Sequence, residues 1–487
     1  MSNQIFKIDE LLRLVIDELV ETSPQTAVSF ALTCRSLEEP TLSSLWGEQN
    51  SLADLIKVLP DHTWVQDTRG IVSGRDFPMN YVQFKFLQAI EDDPSAEDWT
   101  RLHRYASWMR ELHLGINETI PADTFSRLVT GSPGGVLCVK LECLRWNIQG
   151  TPSASPFFRL FLPPHLKRVS LHSPRVPVIS RARLAGLVQI ISFLPTSLED
   201  LTVDCGWEEE DETLKDAISA FIRRCGSSLR NLYFRVPLSE AAICHITQLP
   251  NLRSWNVVQG PPRTVPLSIF PSLEKLCLHE EAALPWLYLL LPPEERVPQN
   301  ASAPATLHTN LGEMLNTLHC PYGTIVDSTL LSSILKLRNL VTLYVGTSCP
   351  LGGCTFYLTD GSVENLAATL PRLETLRLGN PCRLNSCKTT IASLLSISTH
   401  CLGLTLLEIH FNTLTIAGDM QRMLDGDSWR DNAKCELQNF VVGYLPLEGG
   451  ETDVETMVVG FRAIFPCLTD ITDYSGRWHE LRTRLSA

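Results

Sequence analysis

Fifteen of the 487 residues are cysteine, yet no two form a Cys-x-x-Cys pair. The short, recurrent spacings of a small secreted disulfide scaffold are therefore missing. Cys138/Cys143, Cys349/Cys354 and Cys382/Cys387 are each five apart, with no histidine at a matching interval. Zinc takes about four converging ligands, so no metal and no cofactor is expected. Long apolar runs are also lacking. The longest, Ala282 to Leu291, is ten residues with Pro285 inside it, roughly half of the ~20 that span a bilayer. Met1-Ser2-Asn3-Gln4 has no basic segment, and Asp9, Glu10, Asp17 and Glu18 interrupt the apolar residues that follow, unlike a signal peptide. A cytoplasmic and/or nuclear chain without membrane attachment is expected. There is no basic run either, and the net charge is −13, which argues against a nucleic-acid partner. No phosphate loop, G-x-S-x-G elbow, H-E-x-x-H pair or calcium loop occurs. His279-Glu280-Glu281 lacks a second histidine at helical spacing. No catalytic residue is assigned, and the chain is not expected to be an enzyme.

What the sequence does contain is repetition. Pro371 to Asn380 reads P-R-L-E-T-L-R-L-G-N, with Leu373, Leu376 and Leu378 at i, i+3 and i+5. The last two leucines lie two apart, as one face of a strand requires. The same spacing recurs as Leu198/Leu201/Val203, Leu229/Leu232/Phe234, Leu252/Trp255/Val257 and Leu273/Leu276/Leu278. It continues as Leu340/Leu343/Val345, Leu404/Leu407/Ile409 and Leu437/Phe440/Val442, with looser copies at Met109, Leu141, Leu166, Leu315 and Leu468. From Leu340 onward the copies step by 33, 31, 33 and 31 residues. A fixed period of this kind means one supersecondary unit stacked many times. Helical patterns fall between the strands at Leu187 to Leu194, Leu214 to Cys225, Leu330 to Leu337, Val363 to Leu370 and Ile391 to His400.

The cassette resembles a leucine-rich repeat over roughly 109 to 480. Its period is longer than the usual one of about 20–29 residues. The resemblance implies an α/β fold: a curved solenoid with parallel strands on the concave side and helices on the convex side. The leucines would face the core, and the residue between the last two would face the concave side. Those residues are His113, Arg145, Ser170, Thr202, Tyr233, Asn256, Cys277, His319, Tyr344, Arg377, Glu408, Val441 and Thr472.

Residues 1–50 follow a different pattern. Ile8, Leu11, Leu12, Val15, Ile16 and Leu19 form the apolar stripe of an amphipathic helix. Ser23-Pro24 reads as N-cap and first turn of a second helix, with Val28, Ala31 and Leu32 inward. Pro40 is expected to open a third helix that buries Leu42, Leu45 and Trp46. Ala31 to Trp46, A-L-T-C-R-S-L-E-E-P-T-L-S-S-L-W, resembles the second half of an F-box, and Asp9-Glu10-Leu11-Leu12 with Val15 and Leu19 is similar to its first helix. Gly47 to Pro60 looks like the helix that follows the box in many fungal F-box proteins. Asp9 stands where the box usually has proline, and Leu37 where tryptophan is common.

This resemblance implies a three-helix module at 1–50, a helical connecting segment at 51–105 and a repeat solenoid at 106–487, with an insertion at about 292–310. The connecting segment is expected to be turn-rich, with a helix over Tyr81 to Ile90. Ile8, Leu11, Leu12, Val15, Ile16, Leu19, Leu32, Cys34 and Trp46 would hold the Skp-type adaptor of a cullin–RING ubiquitin ligase. The repeats would present an unknown protein substrate through Tyr233, Tyr344, Arg377, Glu408 and His410. The alternative is a non-enzymatic repeat scaffold whose N-terminal helices only cap the solenoid, as terminal repeats require.

Overall fold

The computed structural model describes residues 9–67, 86–90, 92–115, 120–147, 152–173, 181–205, 212–225, 227–236, 238–258, 270–278, 286, 315, 317–320, 328–346, 357–379, 388–409, 411–413, 415–426, 435–443, 451–473, 476 and 478–486. The fold is α/β, and the chain divides into two compact units, Met1–Ala242 and Ile243–Ala487.

The first unit opens with three helices, α1 (Asp9–Thr22), α2 (Pro24–Ala31) and α3 (Arg35–Leu45). Ser23 is the N-cap of α2 with Pro24 in the first turn, as the sequence predicts. The third helix starts five residues before Pro40 and runs through it. It buries Leu37 and Thr41, while Leu42, Leu45 and Trp46 stay half-buried. The chain then enters a strand, β1 (Glu48–Gln49), where sequence similarity implies a helix, and only α4 (Leu52–Ile56) is helical in that stretch. Of the helix expected over Tyr81 to Ile90, residues 81–85 lie outside the described residues, and 86–90 are not helical. Phe86–Ile90 is a strand, β3, paired antiparallel with β2 (Trp64–Asp67). Pairing with a second strand has overridden a local helical pattern. Helix α5 (Ala96–Ala106) follows, closed by a capping box between Ser95 and Asp98.

Strands β4 (Glu111–Leu114), β5 (Cys143–Asn147), β6 (Arg168–Ser173), β7 (Asp200–Cys205) and β8 (Asn231–Phe234) then pair in parallel, each with the next in sequence. Helices α6 (Ala122–Gly131), α7 (Arg181–Phe193), α8 (Glu212–Cys225) and α9 (Glu240–Ile246) lie between or after them. The strand register repeats one device. The Arg110 carbonyl accepts N–H bonds from both Glu142 and Cys143, Glu142 does so for Lys167 and Arg168, and Lys167 for Glu199 and Asp200. The series begins before the first cassette, because Gly47 O accepts from Arg110 N and Glu111 N at 2.8 Å each. Through that carbonyl β1 pairs parallel with β4.

The second unit has eight strands among its described residues, β9 (Ser254–Val257), β10 (Lys275–Leu278), β11 (Thr317–Cys320), β12 (Thr342–Val345), β13 (Thr375–Leu378), β14 (Leu406–Ile409), β15 (Asn439–Gly443) and β16 (Asp470–Asp473). Consecutive strands pair in parallel. Every cassette read from the sequence is therefore a strand, and the even steps of 33 and 31 give unshifted register from β12 through β14. Leu343, Leu376 and Leu407 are each 0% exposed, and burying such a side chain contributes about 1.5–3 kcal/mol. Leu378 is followed by Gly379 at φ 88, a left-handed turn that glycine adopts without a Cβ clash. The helices Ser328–Ile334, Asp360–Thr369 and Ile391–His400 overlap the helical stretches expected there. Asp360 ties two of these helices together, its carboxylate accepting from Thr390 N at 2.7 Å and Thr390 Oγ1 at 2.8 Å.

Cysteines fill small gaps in both units. Cys138, Cys225, Cys277 and Cys401 are buried, and burial pushes each thiol up to about 12, as expected of a thiol used as a small hydrophobe. Cys435 Sγ lies 3.2 Å from Cys401 O, at the C-cap of the helix Ile391–His400. The Pro-rich stretch at 259–269 and the insertion at 292–310 lie outside the described residues.

Candidate interaction surfaces

The apolar arc of α1 is wider than one contact face, and the fold splits it. Leu12 (8% exposed) and Ile16 (1%) turn inward onto Leu37, with Val20 and Phe30 packed alongside. Leu11, Leu14 and Val15 turn outward, at 42%, 66% and 41% exposure. On α2 the expected inward set also divides: Ala31 is buried, with Ala27 outside that set buried too, while Val28 and Leu32 are exposed. Leu32 follows the helix as its C-cap and is the most open apolar side chain described, at 81%. Leu12 and Ile16 are thus core residues of the module. The accessible candidates are Leu11, Val15 and Leu32, joined by Leu14 and Val28, which the stripe argument passed over. Leu19 is half-buried, and Ile8 lies outside the described residues.

Cys34 is exposed at the N-cap of α3. The Ser36 hydroxyl, 3.0 Å away, holds its thiol below the usual range. Trp46 faces inward instead: its ring meets Tyr105 edge-on at 4.8 Å, and Tyr105 meets Trp108 at 5.2 Å. With the Arg104–Glu38 ion pair at 3.1 Å, this aromatic chain seats the module on α5.

On the second unit, Tyr344, Arg377 and Glu408 stand at matched positions of β12, β13 and β14. The Arg377 guanidinium lies over the Tyr344 ring, 5.8 Å from its centroid, and 3.7 Å from a Glu408 oxygen. Glu408 is buried, and loss of hydration raises its carboxyl above the usual range, with Arg377 opposing the rise. The trio offers a ring, a planar donor and an acceptor on one surface. Of the remaining candidates, Tyr233 belongs to the first unit, opposite Thr202 of β7, and His410 lies outside the described residues.

The first unit shows a second polar grouping that the sequence reading did not assemble. Glu111 on β4 and Cys143 on β5 are register partners, with His113 two residues along from Glu111. Ligand atoms of the three lie within 4.8 Å of one another. The signal was in the sequence. Glu111 and Cys143 each follow the first apolar residue of their cassettes, Met109 and Leu141, by two positions. A cleft of about 650 Å³ opens between α1, α3 and the start of β4, lined by Arg13, Asp17, Glu39, Arg110 and Lys140 among others.

No helix among the described residues is long and apolar enough to cross a membrane. The chain matches no protein-family model and no curated protein sequence.

Proposed function

We propose that the chain is the substrate-recognition subunit of an SCF-type cullin–RING ubiquitin ligase. The N-terminal helices hold the Skp-type adaptor, and the strand faces hold a protein substrate. The observation that supports this best is the exposure of five apolar side chains, Leu11, Leu14, Val15, Val28 and Leu32, on a module whose own core is small. Exposed apolar side chains gathered on one short segment mark an interaction site. The Tyr344–Arg377–Glu408 surface supplies residue types enriched at protein interfaces. Such a chain does no chemistry; it raises the effective concentration of a target at the ligase.

A scaffold reading, with the helices as a cap, is favoured by a different observation: Gly47 joins the module to β4 by the same paired N–H bonds that link one cassette to the next. One experiment separates the two. The full chain, and a Leu11→Asp/Val15→Asp/Leu32→Asp variant, are titrated with the purified adaptor by calorimetry. The ligase reading expects binding by the first and none by the second; no binding by the unmodified chain leaves the cap reading.

A further inference from the structure

We propose that Glu111, His113 and Cys143 form a site for one zinc-class divalent ion, with water as the fourth ligand.

His113 supplies the first ligand. Its Nδ1 lies 3.0 Å from Asn50 Oδ1. An amide oxygen only accepts, so Nδ1 carries the ring proton. Nε2 is then an unprotonated lone pair. That atom is shut off from solvent and meets no hydrogen-bond donor, an unfavourable state for a buried lone pair. Glu111 Oε2 lies 3.8 Å from it, beyond hydrogen-bond reach and, like the lone pair it faces, an acceptor. A divalent cation between these two acceptors would satisfy both. Glu111 Oε1 is already taken by Arg168, which donates to it at 2.6 Å, so Oε2 is the oxygen left over. Cys143, 3% exposed, brings its sulfur to the same point.

The donor set selects the ion. Sulfur, imidazole and one carboxylate suit zinc, whereas calcium and magnesium take six or more oxygens. Tetrahedral zinc with bonds of about 2.0–2.3 Å sets its ligands about 3.4–3.6 Å apart. The observed spread, up to 4.8 Å, closes to that by side-chain rotation of about one ångström. Outer contacts hold two of the three ligands. Asn50 fixes the histidine tautomer and Arg168 orients the carboxylate, while Arg145 is the register partner of His113 on β5. Three protein ligands and one open position match the coordination of accessible zinc sites. The ion would tie β4 to β5, and Asn50 beside β1 would be drawn into the same cluster. The site is independent of the adaptor reading.

The test uses the full-length reduced chain, stripped of metal and titrated with cobalt(II). One equivalent should give thiolate-to-cobalt charge-transfer absorption that zinc then displaces. Cys143→Ser should abolish that absorption. Asn50→Ala, on an exposed residue whose loss leaves the fold standing, should weaken binding about 10–100-fold. No charge-transfer absorption in the unmodified chain, or its retention in Cys143→Ser, overturns the proposal. Should Cys143→Ser not fold, Asn50→Ala decides, and unchanged affinity there overturns it equally.

Discussion

The three N-terminal helices and the strand cassettes bury apolar surface in opposite ways. A cassette buries its inner positions completely: Leu343, Leu376 and Leu407 are each 0% exposed, stacked at one position of three consecutive strands. Each unit covers its neighbour's face, so the core extends as long as the pattern repeats. The helical module has no repeating neighbour. Leu12, Ile16 and Leu37 make its core, and Leu11, Leu14, Val15, Val28 and Leu32 remain outside. The contrast teaches that the same residue type means different things in the two regions. An apolar residue in phase with a cassette is structural, whereas in the module position on the helix decides whether it packs or faces outward.

The change expected to do most damage puts charge into the smaller core. Leu12→Asp with Ile16→Asp buries two carboxylates with no partner, and each buried ion costs several kcal/mol. Hydrogen exchange should show protection lost across 9–45, with the second unit unchanged. Loss of protection in both units would mean the module is not a separable layer.

Next is Leu376→Ala. Removing a wholly buried leucine should cost about 2–5 kcal/mol from lost transfer energy and the cavity left behind. Because each cassette touches only its neighbours, exchange should rise over 340–409 and stay flat over 141–205. A uniform rise across the chain would argue for one undivided core.

Leu11→Asp/Val15→Asp/Leu32→Asp sharpens the comparison from the other side. These residues are exposed, so stability should shift by no more than about 0.5 kcal/mol per site. A thermal melt that falls as far as that of the Leu12/Ile16 variant would show that the outward face is part of the core after all.

Strands were far more legible in the sequence than helices. The i, i+3, i+5 spacing marks a strand directly, and all the cassettes are strands with their leucines inward, even Leu468/Ile471, whose third slot is Asp473. Register followed too, which is why Tyr344, Arg377 and Glu408 emerged as neighbours. Where no period repeats, local pattern decides less. Strand β3 looked helical over Tyr81 to Ile90 because its antiparallel partner β2 lies some twenty residues back, beyond any local pattern. Strand β1 is two residues long and exists only because Gly47 O meets β4. The split of the α1 stripe was not visible because Leu11, Leu12, Val15 and Ile16 satisfy the same helical period; only the position of Leu37 decides which pair is inside. The ring partner of Trp46 is likewise invisible to local pattern, since Tyr105 lies outside the segment.

The smallest expected effect tests the polar trio of the second unit. Glu408 is buried on the strand face, and dehydration holds its carboxyl above the usual value even though Arg377 stands 3.7 Å away. A carboxyl whose folded pKa lies above its unfolded one takes up protons on folding. The stability linked to it is therefore fully present below the unfolded value and is lost as pH rises through the raised folded value. Glu408→Gln keeps the shape and removes the titration. Against the unmodified chain, the variant should be relatively more stable at pH 7 than at pH 4, by a modest margin because the arginine offsets part of the dehydration cost. Chemical denaturation at the two pH values, followed by exchange over 404–409, reads the difference. If the variant is instead less stable at pH 7 and equal at pH 4, the Arg377 pair outweighs dehydration, and Glu408 is held charged on this face. That result would recast the trio as a structural ion pair and move the search for a substrate contact to other residues on the strand faces.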